Sequence, residues 1–143
     1  MKAMQIVNFD GPASGLRYQE ASTPEPGPGQ IAVDVDHAGV GYVEALFTEG
    51  LVPIDLPWTP GLEVSGRVRA LGDGVDGYRV GDAVVALTIT GGGGYGQVAV
   101  VPAELVAPPP AGGGPRPAPR RRPCATAGTT PPPRPRAPPR ARS

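Results

Sequence analysis

The stretch TGGGGYGQ, residues 90–97, fits the dinucleotide fingerprint G-x-G-x-x-G through Gly91, Gly93 and Gly96. A working fingerprint closes a strand and opens a helix, so that the cofactor's diphosphate meets the helix N-terminus. AVVALTI (83–89) precedes it and has the composition of a strand. QVAVV (97–101) follows, and that is a second strand pattern. An acidic residue for the ribose belongs about twenty residues further on, yet Glu104 is the last acid of the chain. The stretch therefore reads as a loop between strands, and no Rossmann unit is expected around it.

The flanking sequence repeats the β pattern. In QIAVDVD (30–36), Ile31, Val33 and Val35 alternate with Gln30, Asp34 and Asp36, as in a half-buried strand. EVSGRVRA (63–70) sets Val64, Gly66, Val68 and Ala70 against Glu63, Ser65, Arg67 and Arg69. The run 83–89 is continuously apolar, which predicts a strand buried on both faces. AELVA (103–107) is a short final strand, and AMQIVNF (3–9) with LRYQEA (16–21) makes an opening hairpin. TPEPGPGQ (23–30) is too rich in Pro and Gly for helix or central strand. LGDGVDGYRVGD (71–82) carries repeated Gly-Asp turn chemistry. One segment reads as helix, YVEALFTEG (42–50), with Gly50 as its C-terminal stop. Short strands, tight turns and one short helix predict a mainly β domain, a partly open barrel, over residues 1–107.

The overall charge of zero conceals two segments. Residues 1–107 hold five basic and thirteen acidic residues, 5 − 13 = −8; residues 108–143 hold eight arginines and no acid, +8. Thirteen Pro, eight Arg, six Ala and four Gly fill 31 of those 36 positions, with no aromatic residue and no aliphatic larger than Ala. Nothing there can form a core, so 108–143 is expected to be a disordered tail with polyproline II character. Pro, Arg, Ala and Gly are also the residues encoded by codons made only of G and C. The composition thus points to a reading frame lost near Ala107, which the nucleotide sequence across that codon would test. As a binding element, the tail could contact polyanions without sequence preference, but it has no aromatics to stack bases and nucleic acid is not expected. Pro135, Pro138 and Arg140 also match a P-x-x-P-x-R motif for a proline-motif reader.

Cys124 is the single cysteine, so no internal disulfide and no cysteine-rich zinc site can form from this sequence. No apolar run approaches the ~18 residues of a membrane span, and MKAMQIVNFDG lacks the apolar stretch of a signal peptide. A cytoplasmic protein is expected. No pattern in the sequence fixes an oligomeric state.

Taken together, PEPGPGQIAVDVDHAGVG (24–41), LFTEGL (46–51), TPGLEVSGRVRALGDGV (59–75), YRVGDAVVAL (78–87) and GGYGQVAVVPAELVAPP (93–109) resemble one family. It is the N-terminal GroES-like domain of the medium-chain dehydrogenase/reductases, in its zinc-independent quinone oxidoreductase branch. The resemblance covers the β-rich part and ends where the tail begins. It implies NADPH as cofactor, lodged between this domain and a following Rossmann domain, and a quinone or activated alkene as hydride acceptor. It places Gly41, Tyr42, Glu44 and Glu63 along the substrate and nicotinamide cleft. Zinc-dependent relatives have Cys at the position of Gly41 and His-Glu at Leu62-Glu63; Gly41 and Leu62 cannot ligate, so no metal is expected. Quinone oxidoreductases often have Asn at Gly41, Asp at Glu44, and Tyr at Leu46 and Val52, so this chain departs from the usual pocket. A Rossmann half is absent from the sequence read here, and the chain alone is expected to be an inactive fragment. Of the remaining residues, His37 lacks partners and reads as structural or exposed, and Trp58 as a core or cleft-wall anchor. Gly61, Gly66, Gly72 and Gly81 read as turn and close-packing positions.

Overall fold

The computed structural model describes residues 1–110; the expectations for 111–143, including disorder and tail binding, lie outside the described residues. Seven strands are described, β1 (Lys2–Ile6), β2 (Leu16–Glu20), β3 (Gln30–Ala38), β4 (Glu63–Leu71), β5 (Ala83–Leu87), β6 (Val98–Pro102) and β7 (Val106–Ala107). Two helices join them, α1 (Pro12–Gly15) and α2 (Tyr42–Thr48), with a 3-10 turn at Ala103–Leu105. The fold is mainly β, as the alternation predicts.

β3 to β7 form one antiparallel sheet in the order β6-β3-β4-β5-β7. Its two outer strands are consecutive in the chain and separated only by Ala103–Leu105. Three residues of 3-10 turn span only ~6 Å, so the opposite edges must approach each other and the sheet curls into a partly open barrel. Register breaks in β3, between Ala32 and Val33 and between Val35 and His37, supply the bends that such curling needs. Ile31, Val33, Val64, Val68, Val84, Ala86, Val101 and Val106 point inward and form the core. Each fully buried aliphatic side chain of this kind contributes ~1.5–3 kcal/mol. Gly66 belongs among them because a Cβ there would strike the Asp34 carbonyl of the adjacent strand. Tyr78 crosses from its turn to donate to the Val106 carbonyl at 2.6 Å, tying the last strand down.

Three local expectations need correction. The run 83–89 is buried on one face only: Val84, Ala86 and Thr88 face the core, whereas Leu87 and Ile89 are exposed. Its outward residues stay apolar because they border a groove rather than a second layer. AELVA is not all strand; Ala103–Leu105 coils into the 3-10 turn and only Val106–Ala107 pairs with β5. The opening hairpin pairs Lys2–Ile6 with Leu16–Glu20, but its connection contains α1 rather than a plain turn. α1 is a second, one-turn helix started by Pro12, a residue suited to the first helical position.

α2 forms close to the predicted span. It stops by the αL route: Gly50 has φ +73°, its N–H bonds to the Phe47 carbonyl, and the Leu51 N–H reaches the Leu46 carbonyl. These two bonds are a Schellman motif. At the other end Glu44 Oε2 accepts from the Gly41 N–H at 3.0 Å. That is half a capping box; Gly41 has no side chain to return the bond.

Candidate functional site

The stretch 90–97 is a seam. Gly91 and Gly92 donate to Thr88, Gly93 to Thr59, Gly94 to Gly61, Tyr95 to Pro60, Gly96 to Gly93 and Gln97 to Lys2, all at 2.7–3.3 Å. Every amide from Gly91 to Gln97 is therefore spent on the protein's own carbonyls, and none is left to cradle a phosphate. The carbonyl of Tyr95 accepts from the Met4 N–H, and Gln97 Oε1 from the Lys2 N–H. The loop thus fastens the β1–β2 hairpin to the barrel. Its glycines answer to crowding. Gly92, at φ +70°, lies under the Trp58 indole, and a Cβ would collide with the ring. Gly61, at φ +98°, sits against the Gly94 Cα.

Trp58 joins three elements at this seam. Its backbone exchanges hydrogen bonds with Ile6, its Nε1 donates to the Gly91 carbonyl at 3.2 Å, and its ring packs on Phe47 of α2 at 4.7 Å between centroids. The anchor role read from sequence thus has three named contacts.

The four residues placed on a cleft by resemblance fall on different surfaces. Gly41, Tyr42 and Glu44 share the N-terminal turn of α2, but Tyr42 points outward and is 78% exposed, with Val40 and Val43 exposed beside it. Glu44 and Thr48, one turn apart, face inward and are buried. Glu63 opens β4 on the other side of Gly39, whose N–H donates to the Glu63 carbonyl at 3.0 Å. The short link Gly39–Gly41 therefore separates the two carboxyl groups.

A hollow lies on each side of that link. The larger, about 560 Å³, runs over the outer sheet face past His37, Glu63, Ser65, Val85, Leu87 and Glu104. His37 is exposed there. The smaller, about 390 Å³, lies beneath α2 and is walled by Met4, Leu16, Val40, Ala45, Pro60 and Tyr95, with Glu44 and Thr48 on its α2 side. Sequence reasoning passed over Tyr95, reading it only as part of the loop. Its hydroxyl is shut off from solvent and has no hydrogen-bond partner among the described residues. Burial, and secondarily the Glu44 charge, push this phenol above its usual range. Its only advance signal was an aromatic residue inside a glycine run.

Among the described residues no group of three His, Cys, Asp or Glu comes together to hold a metal. No described helix is long and apolar enough to cross a membrane.

Comparison with known proteins gives a consistent picture. The family model described as "Alcohol dehydrogenase GroES-like domain" matches residues 27–111. A probable quinone oxidoreductase of Schizosaccharomyces pombe is 37% identical over 102 residues, covering 71% of this chain and 30% of that protein. The human synaptic vesicle membrane protein VAT-1 homolog-like protein superposes with a TM-score of 0.73 at 33% identity, over 77% of this chain and 35% of that one. The Escherichia coli quinone oxidoreductase, solved with NADPH, superposes with a TM-score of 0.69 at 26% identity, over 78% and 34% respectively. The chain spans about a quarter to a third of the length of the curated relatives it matches.

Proposed function

Because this chain belongs to the alcohol dehydrogenase GroES-like domain family, with quinone oxidoreductases among its relatives, we propose that it is the acceptor-side domain of an NADPH-dependent quinone or activated-alkene oxidoreductase. In this reading residues 1–107 are the domain, and Gly41 and Tyr42 meet the reacting partners. Gly41 leaves backbone uncovered at the start of α2, and Tyr42 offers an exposed ring against which a flat acceptor or nicotinamide can lie. Val40 and Val43 extend that wall and help to keep water from it. Glu63, exposed at the far side of Gly39, stands outside this wall and is assigned no contact with substrate.

The glycine run does not fit the diphosphate half of NADPH, because its amides are all engaged with the chain's own carbonyls. We therefore assign this chain positioning and shielding, and no bond-making step. The reading is zinc-free, supported by Gly41 and Leu62 at the positions where zinc-dependent relatives have Cys and His.

The engagement of all seven amides from Gly91 to Gln97 carries the conclusion that the isolated chain does not turn over. Mixing the purified chain with NADPH and 1,4-benzoquinone, and following loss of reduced nicotinamide, tests it. The expected rate equals the protein-free control. Saturable oxidation that scales with protein concentration would overturn the fragment reading.

A further inference from the structure

Asp-Gly occurs three times in the chain, at 10–11, 73–74 and 76–77. In this dipeptide no side chain on the second residue shields its amide nitrogen from the aspartate carboxyl group. The fold restrains the three copies differently. At Asp10–Gly11 the Gly11 N–H donates to the Thr48 carbonyl and the Asp10 N–H to Asn8 Oδ1, both at 3.1 Å. At Asp73–Gly74 the Asp73 carbonyl accepts from the Gly29 N–H at 2.8 Å, and a bond from the Val75 N–H to the Gly72 carbonyl at 3.3 Å closes the turn around the pair. The peptide plane between Asp73 and Gly74 cannot rotate without giving up these bonds. At Asp76–Gly77, among the described residues, no N–H or carbonyl of the pair takes part in a backbone hydrogen bond. Both residues are exposed, and nothing lies within 4 Å of where a Cβ on Gly77 would stand.

We propose that Asp76 is a site of spontaneous isomerisation to isoaspartate in the folded chain, and that Asp10 and Asp73 are protected. The Gly77 nitrogen bonds to Asp76 Cγ of the protonated carboxyl group. The carboxyl hydroxyl leaves with the Gly77 amide proton as water, and a five-membered succinimide remains. Water then adds back to one of its two carbonyl carbons. Addition at Cγ restores aspartate; addition at the Asp76 backbone carbon gives isoaspartate, whose chain runs on through Cβ and Cγ. Water lost equals water gained, and no co-reactant is needed. The product carries one extra carbon in the backbone between Val75, packed on the core, and Tyr78, whose hydroxyl holds the Val106 carbonyl. Isomerisation therefore loosens the tie on β7. None of this rests on the oxidoreductase reading.

The test ages the full 143-residue chain at neutral pH, folded and in guanidinium chloride. Peptide mapping with electron-transfer fragmentation distinguishes isoaspartate from aspartate and separates position 76 from 73. In denaturant the three positions should convert at similar rates, since the dipeptide is the same. In the folded chain Asp76 should convert about tenfold faster than Asp10 or Asp73, the factor expected where one hydrogen bond must first open. Amide exchange at Val106 and Ala107 should quicken as isoaspartate accumulates, and should stay constant in Asp76→Glu, whose larger ring closes far more slowly. Equal conversion of the three positions in the folded chain would overturn the proposal. So would faster conversion at Asp10 or Asp73, or an unconverted Asp76 in the folded chain over the time in which the denatured chain converts. Unchanged exchange at Val106 and Ala107 in the converted chain would overturn the link to β7.

Discussion

Tyr42 and Glu44 stand two residues apart on α2 and face opposite ways, the first 78% exposed and the second 8%. The turn between them therefore divides surface chemistry from structural chemistry. Tyr42→Ala should change stability by no more than ~0.5 kcal/mol, since exposed positions without special contacts rarely matter more. Glu44→Ala removes the acceptor of the Gly41 N–H at the helix start and should cost ~1 kcal/mol, the usual worth of a helix cap. Thermal or urea unfolding of the two variants checks the difference. Equal losses would mean that the two residues do not lie on opposite sides of α2.

The glycine run makes a second contrast. Gly91 has open space around its Cα and an ordinary φ, so Gly91→Ala should be tolerated within ~0.5 kcal/mol. Gly61 combines φ +98° with contact against Gly94, and Gly61→Ala should cost at least the ~1–3 kcal/mol of a strained backbone. A dinucleotide fingerprint predicts the reverse order of importance, because its first glycine makes the tight turn at the diphosphate. Urea midpoints of the two variants decide between the seam and the fingerprint.

Trp58 offers a third. Its indole covers Gly92, packs on Phe47 and donates to Gly91. Trp58→Phe keeps a ring against α2 but loses the Nε1 bond to the Gly91 carbonyl. It should cost about 1–2 kcal/mol, a hydrogen bond plus part of the ring contact. Amide exchange should quicken first at Gly91–Gly93 and at the hairpin residues Met4 and Ile6, because the seam joins them. Faster exchange confined to α2 would show that Trp58 serves the helix alone.

How far the sequence foretells this molecule differs by element. Alternation in 30–36 and 63–70 yields the central pair β3–β4 with Ile31, Val33, Val64 and Val68 inward, because side-chain period and burial are coupled in a strand. It misses Ala32, buried beside the register break at Ala32/Val33. Gly50 marks the end of α2 because few other residues accept its backbone. The run 83–89 misleads: an apolar outward face is consistent with either a second layer or a groove, and only tertiary placement separates them. The tail expectations lie outside the described residues. The resemblance sets Tyr42, Glu44 and Glu63 along one cleft, but their exposure is not written in spacing: helix phase leaves Tyr42 exposed and Glu44 buried, and Glu63 is exposed at the start of β4. Tyr95 is hidden for the same reason. That a hydroxyl lacks a partner is a property of everything around it, not of its sequence neighbours.

The Tyr95 hydroxyl supplies the last prediction. A buried hydroxyl without a partner costs ~1–3 kcal/mol, so Tyr95→Phe should raise stability by ~1 kcal/mol. The pH dependence has a definite sign. Burial first, and the Glu44 charge second, raise this phenol's pKa in the folded chain above its value of 10.0 when unperturbed. The folded state then holds its proton more tightly than the unfolded state. That contribution is complete below pH 10 and is lost as pH climbs through the raised folded value. Wild type should therefore lose stability above pH 10 more steeply than Tyr95→Phe, and the two should run parallel below it. Urea unfolding on both sides of that pH measures the slopes; parallel curves throughout would mean that the hydroxyl finds a partner in solution.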